Sequence, residues 1–235
     1  MIEVYSICIN EKQGNELYRV MLNYVPPSKR EAVSRYHQPI DAQRSLMGEI
    51  LARLGICSRL QVTNDELNFS KNEFGKPELS HDSGCHFNIS HAGDWVICAF
   101  SERPVGVDIE QIKPIDYSIA DRFFTRNEYL ALMSRTGLDQ VTYFYRLWTL
   151  KESYIKAVGK GLSIPLNSFS FEIGDSNKVS AELGDGVSPC YFKQYLEYEG
   201  YVLSLCSYVE ATPVIRQLDY EKLRTYLEFM KPYVN

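Results

Sequence analysis

Four side chains in two short stretches have the types and spacing for phosphate chemistry. Gly106-Val-Asp108-Ile-Glu110 reads as a strand, with Val107 and Ile109 on one face and Asp108 and Glu110 on the other. Carboxylates two residues apart on a strand sit roughly 7 Å apart at Cα. With oxygens about 6 Å apart and an effective dielectric near 20, they repel by roughly 3 kcal/mol. A solvated strand edge tolerates that, whereas a partly buried pair needs a cation or a raised pKa. The second stretch, Arg146-Leu-Trp-Thr-Leu-Lys-Glu-Ser-Tyr-Ile-Lys156, reads as a helix whose apolar face is Phe144, Leu147, Trp148, Ile155 and Val158, closed by Gly159 and Gly161. Glu152 and Lys156 lie at i, i+4 on the flank of that face. They form either a surface pair worth a few tenths of a kcal/mol or a half-buried pair that reaches a ligand. Three carboxylates offer the hard oxygen ligands that suit Mg²⁺, an ion that keeps waters and takes substrate phosphate oxygens. Spacing alone leaves both readings open.

The elements that must carry these groups follow from periodicity. Ile2–Ile9 alternates as a strand, and Glu16–Val25 has Leu17, Val20, Met21 and Tyr24 at helical steps before Pro26-Pro27 stops it. Ser28 with Glu31 has the capping-box spacing for a short helix to about His37. Pro39 ends that helix, and Asp41 caps the next, whose stripe is Leu46, Met47, Ile50, Leu51 and Leu54, closed by Gly55. Asp65–Ser70 reads as a short strand and Asn72–Pro77 as a turn. Phe87–Ser90 and Trp95–Phe100 read as strands joined by His91-Ala-Gly-Asp. Polar Ser101-Glu-Arg-Pro marks a junction, which divides the chain into 1–104 and 105–235. Helices follow over Ser118–Phe124, Arg126–Ser134 and about Thr142–Val158. A small antiparallel sheet is expected from 169–173, 178–183, 190–197 and 201–208, and a closing helix from Leu223, Tyr226, Leu227 and Met230. Strands and helices mix without a regular βαβ period, so the fold class is α+β.

Composition narrows the function classes. The 235 residues are 45% hydrophobic, enough for a sizeable core. The net charge of −5 argues against a nucleic-acid binder, whose footprint is basic. The start has no basic n-region, and no stretch has the apolar length of a membrane span. The six cysteines show no CxxC and no framework spacing, so reduced, mostly buried thiols of a cytoplasmic protein are expected. Asn88-Ile-Ser90 is formally a glycosylation sequon, read as incidental without a secretory signal. His81, Cys85, His86 and His91 match no closed zinc spacing.

Further words surround the two stretches: Phe74-Gly75-Lys76-Pro77, Phe87-Asn-Ile-Ser90-His91 and Gly159-Lys-Gly-Leu-Ser163. With Gly106-Val-Asp108-Ile-Glu110 and Trp148-Thr-Leu-Lys151-Glu152-Ser-Tyr-Ile-Lys156, in this order, the chain resembles the 4′-phosphopantetheinyl transferases in their long, single-chain Sfp-type form. The resemblance implies two similar α/β halves related by pseudo-twofold symmetry, with the active site in the cleft between them. It implies transfer of the phosphopantetheine arm of coenzyme A to a serine of an apo acyl or peptidyl carrier protein, with release of adenosine 3′,5′-bisphosphate, in nonribosomal peptide biosynthesis. Asp108, Glu110 and Glu152 match the family's Mg²⁺ carboxylates. Glu152 also matches the proton acceptor, and Lys156 a catalytic, phosphate-binding lysine. Lys29, Ser45, Ser90 and His91 match positions at the nucleotide phosphates, and Gly75, Lys76 and Pro77 the loop that frames adenine. The carrier would dock on about Gln111–Phe124, where Lys113, Arg122 and Phe123 are available. A monomer is implied, with no membrane or nucleic-acid partner. There is one departure: a second clamp lysine, three residues after the first, is Ala32 here, and Arg35 is the nearest replacement cation. Two rival readings remain: a metal-dependent nuclease, and a coenzyme A-binding protein without turnover. The words at Ser90-His91 and Gly75–Pro77 speak against the first, and the complete carboxylate set against the second.

Overall fold

The computed structural model describes residues 1–9, 11–81, 83–174, 177–184 and 188–233, without the side chains of 11–15. The first half runs β1 (Glu3–Cys8), α1 (Glu11–Met21), α2 (Pro27–Ser34), α3 (Pro39–Leu60), the hairpin β2 (Phe69–Lys71) and β3 (Pro77–Leu79), β4 (His86–Ala92) and β5 (Trp95–Ser101). The second runs β6 (Val105–Gln111), α4 (Ser118–Phe123), α5 (Arg126–Met133), α6 (Gly137–Val158), the hairpin β7 (Ser170–Ile173) and β8 (Val179–Glu182), β9 (Tyr191–Tyr195) and β10 (Tyr201–Ser207). Each half is therefore a strand, helices, a 22-residue helix, a two-stranded hairpin and a final strand pair. The sheets repeat the same order, β1-β5-β4 and β6-β10-β9. This topological repeat is the twofold design, and it leaves no trace as a repeated sequence.

The strands show why two faces are needed. Val96, Cys98 and Phe100 of β5 pack into the core beneath α3, while Ile97 and Ala99 meet Val105, Val107 and Ile109 of β6 in a core between the halves. Both sheets thus bury one face against a long helix and the other against each other, and β5 and β10 are buried along almost their whole length. The faces of β6 divide as the alternation predicts: the odd residues enter the shared core, and Gly106 and Asp108 turn toward α6. A Cβ on Gly106 would lie 2.0 Å from the Ser153 carbonyl oxygen and 2.4 Å from the Ala157 nitrogen. Only glycine lets the helix rest its backbone on the strand. Gly48 of α3 serves the first half similarly, where a Cβ would stand 2.8 Å from Ile89 Cγ2 of β4.

Several expectations change. Pro27 occupies the first turn of α2, so Ser28 lies inside the helix and caps nothing, while Glu31 pairs with Arg35. Pro39 opens α3 rather than ending its predecessor, and Asp41, within the first turn, pairs with Arg44 at 2.9 Å. Gly55 does not close α3, which continues to Leu60. The Phe100 ring occupies the space of its Cβ, at 2.1 Å, and Gln61 takes the left-handed cap at φ 56°. Residues 64–66 form a 3-10 turn under a Thr63–Glu66 capping box, and the strand begins at Phe69. The expected single C-terminal sheet is two: β7-β8 stands apart from β6-β10-β9. The strand β11 (Val214–Leu218) had no sequence reading; it pairs in parallel with β1. The helix α7 (Tyr220–Phe229) follows it, and Leu218, Leu223, Leu227 and Met230 join the first half's core. The tail assigned by sequence to 105–235 therefore returns to the first half. All six cysteines are free, and no described helix is long and apolar enough to cross a membrane.

Candidate active site

The candidate side chains meet where the halves touch. From β4, Ser90 Oγ donates to Asp108 Oδ1 at 3.0 Å and accepts the Ile109 N–H at 3.2 Å. Asn88, two residues earlier and buried, accepts the Val107 N–H at 2.9 Å. The formal sequon is thus a buried rung between β4 and β6. From α6, the Lys156 ammonium reaches Asp108 Oδ1 at 2.5 Å, Ser90 Oγ at 3.1 Å and the Val107 carbonyl at 3.4 Å. One cation, one carboxylate and one hydroxyl from three elements form a single cluster. Asp108 is 3% exposed, and its second oxygen, Oδ2, is buried without a partner. A buried carboxylate oxygen left bare is costly, and it is an observation that points to a missing ligand.

Glu110 and Glu152 line the same cleft, a cavity of about 480 Å³. Burial, the Asp108 charge and then Glu152 push the Glu110 carboxyl up to about 7, against the pull of Lys156. Burial and Asp108 raise Glu152 as well. Burial raises Asp108 despite Lys156 and Ser90. Three carboxyls with one ammonium between them are short of positive charge. A divalent cation fits that deficit and the bare Oδ2, through Asp108, Glu110 and Glu152. Among the described residues, no group of three or more His, Cys, Asp or Glu side chains is already gathered closely enough to hold a metal ion.

The first half brings cations to the cleft. Lys29 donates to Ser45 Oγ at 3.1 Å and pairs with Glu49 at 3.2 Å. Arg44 also lines the cleft, held by Asp41 at 2.9 Å and by the Gly93 carbonyl at 2.8 Å. His91 sits at the open side of the cleft. Surrounding protein, Lys156 and Arg44 all push its pKa down, which favours a neutral imidazole. Trp148 completes the wall, stacked on Phe144 at 5.8 Å and edge-on to Phe123 at 6.0 Å.

The sequence itself is matched on both sides. Residues 12–103 match the family described as 4′-phosphopantetheinyl transferase, N-terminal, and residues 104–206 match the 4′-phosphopantetheinyl transferase superfamily. The 4′-phosphopantetheinyl transferase Sfp of Bacillus subtilis (strain 168) is 41% identical over 94% of this chain and 100% of its own length. The chain belongs to the 4′-phosphopantetheinyl transferase superfamily. Another member, the 4′-phosphopantetheinyl transferase gsp of Aneurinibacillus migulanus, is 41% identical over 88% of this chain and 86% of its own. A solved holo-(acyl-carrier-protein) synthase from Bacillus anthracis aligns over 44% of this chain and 92% of its own, at 17% identity and a TM-score of 0.39.

Within this transferase, the structure gathers most of the residues expected from sequence. Lys29, Ser45, Pro77, Ser90, His91, Asp108, Glu110, Glu152 and Lys156 all line one cleft. Gly75 and Lys76 do not. The Lys76 ammonium points away, to the Lys156 carbonyl at 2.7 Å and the Val105 carbonyl at 3.3 Å. Ala32 is exposed, and Arg35 pairs with Glu31 on the outer surface, so neither stands in for a second clamp lysine. Arg44 is the cleft cation that sequence reading missed. Its signal was available: Asp41, Arg44, Ser45 and Glu49 recur at three- and four-residue steps on α3, which makes them one helix face.

Proposed function

We propose that this transferase moves the 4′-phosphopantetheine arm of coenzyme A onto a serine hydroxyl of an apo acyl or peptidyl carrier protein, for nonribosomal peptide assembly. The observation that carries the proposal is the cluster of Lys156, Asp108 and Ser90, with a bare Asp108 oxygen and two further carboxyls beside it, at the seam of two halves. In the reaction, the serine oxygen forms a bond to the β-phosphorus. The bond from that phosphorus to the bridging oxygen breaks, and adenosine 3′,5′-bisphosphate leaves with the electron pair. Bound by Asp108, Glu110 and Glu152, Mg²⁺ would screen the diphosphate and supply Lewis-acid stabilisation. Lys156, on a cleft wall, neutralises charge that grows on the transferred phosphoryl oxygens. Glu152 takes the serine proton.

Lys29, Ser45 and Arg44 hold the 3′-phosphate, with neutral His91 as a donor. Arg44 restores the positive charge absent at Ala32. Pro77 and Phe69 offer apolar surface to the base. The carrier approaches over the loop after β6 and α4, where Lys113 and Arg122 are exposed and Phe123 rests on Trp148. The protein acts as a cytoplasmic monomer without a nucleic-acid partner.

Intact-mass spectrometry of an apo peptidyl carrier protein, incubated with the enzyme, coenzyme A and Mg²⁺, tests this reading. The carrier should gain one phosphopantetheine. That gain should vanish with EDTA, return with Mg²⁺, and be absent in Glu152→Gln. No gain on several carriers, despite coenzyme A binding, would refute the transfer.

A further inference from the structure

We propose that Lys76 is a positioning residue: it clasps the end of α6 to the start of β6 and so sets the register in which Lys156 and the carboxylates face the cleft. The inference rests on the transfer reading above. It gives the Gly75-Lys76-Pro77 turn a task separate from framing the base.

The argument begins with where the ammonium ends. The last carbonyls of a helix have no partner within it and carry the negative end of its dipole, so a cation there is favoured. Lys76 Nζ donates to one of these, the Lys156 carbonyl, at 2.7 Å. Its other acceptor is the Val105 carbonyl, the first residue of β6, at 3.3 Å. Lys156 is the residue whose own ammonium reaches Asp108, and Asp108 lies three residues along the strand from Val105. A single charge from the first half thus ties together the two elements that carry Asp108, Glu110, Glu152 and Lys156. Burial pushes this lysine down to about 8, as expected for an amine enclosed by protein.

The turn around Lys76 is built to hold it there. Asn72 Oδ1 accepts the N–H groups of Phe74 and Lys76, both at 3.0 Å, which fixes the turn. Asn72 Nδ2 then donates to the Gly159 carbonyl at 2.9 Å, a second contact on the same helix end. Gly159 has φ 82°, and a Cβ there would lie 3.3 Å from Asn72 Nδ2 and 3.4 Å from Lys76 Cδ, so the turn packs flush against the helix cap. Pro77, the next residue, lines the cleft. A ligand pressed against Pro77 therefore sits one residue from the clasp, and nucleotide occupancy and catalytic register share a single turn.

The test compares wild type, Lys76→Met, Lys76→Arg and Asn72→Ala by transfer kinetics, with kcat and KM for coenzyme A resolved, and by hydrogen exchange across residues 150–160. A slip in register of the order of 1 Å costs about 10- to 100-fold in rate. Lys76→Met should therefore lose about that much kcat, with KM changed less than about threefold and faster exchange at the end of α6. Lys76→Arg should recover part of both losses, and Asn72→Ala should show a smaller version. A tenfold rise in KM at unchanged kcat would assign Lys76 to the ligand and overturn the proposal. So would a lowered melting temperature with kcat and exchange unchanged, which marks a residue that only stabilises the fold. If Lys76→Met does not fold, unchanged kcat and exchange in Asn72→Ala overturn it instead. Exchange needs no turnover. A wild-type protein silent in the transfer assay would therefore refute the transfer reading, while exchange still decides the clasp.

Discussion

Replacing Glu110 with glutamine should make the metal-free protein more stable and inactive. Glu110 titrates near 7 rather than its ordinary 4.5, because it is buried beside Asp108 and Glu152. A folded-state pKa raised in this way means that the favourable, protonated form is fully present below 4.5 and is lost as pH rises through 7. Above that, the folded protein carries a carboxylate that the unfolded chain solvates better. The full difference between 4.5 and about 7 corresponds to about 3 kcal/mol. Glu110 keeps part of its surface in the cleft, so solvent screening reduces this to about 1–2 kcal/mol. For a chain of this length, that is a rise in Tm of about 3–6 °C. The assay is thermal unfolding of wild type and Glu110→Gln in EDTA at pH 5 and pH 8. The variant should melt higher at pH 8, with a much smaller gain at pH 5. Millimolar Mg²⁺ at pH 8 should narrow or invert the gap by stabilising only the wild type. Equal melting at pH 8, or the same gain at both pH values, would refute the electrostatic reasoning.

Other outcomes follow from single contacts. Gly106→Ala should cost about 3 kcal/mol and suppress transfer, because its Cβ would overlap the Ser153 carbonyl at 2.0 Å and push α6 off β6; thermal melts and the carrier assay check both. Lys29→Ala should weaken coenzyme A by about tenfold and dephospho-coenzyme A far less; calorimetric titration with the two ligands measures the difference, and equal losses would place Lys29 away from the 3′-phosphate. Lys151 is wholly buried, and it bonds Glu128 at 2.9 Å and the Leu166 and Phe169 carbonyls at 2.7 and 2.8 Å. Lys151→Met, which strands the Glu128 charge, should cost about 3–5 kcal/mol in denaturant melts.

What the sequence revealed was what short-range periodicity can encode. Asp108 and Glu110 are two apart on a strand, and Glu152 and Lys156 are four apart on a helix, so their shared faces were readable before any fold was known. The split of β6, with Val107 and Ile109 inward and Asp108 turned to α6, appeared as expected. Long-range packing was not readable. Gly55 looks like a helix stop because glycine often is one, yet its reason is the Phe100 ring from another element. Lys76 sits in a turn full of ligand-like residues, but its amine goes to carbonyls that are remote in sequence. β11 gave no signal because it lies at a sheet edge with four exposed residues, which removes the apolar alternation that marks a strand. Arg44 was within reach of a helical-wheel reading of α3.

β1 lies between β5 and β11, and Val4 pairs with both Ala99 and Ile215. Until residues 214–218 have emerged from the ribosome, β1 has one open edge, of the kind prone to pairing with other chains. Such distant pairing also slows folding. The first half therefore completes its sheet only after the half that bears the carboxylates has been synthesised. The enzyme should become protease-resistant in one step, once residues 214–218 have been made, rather than half by half.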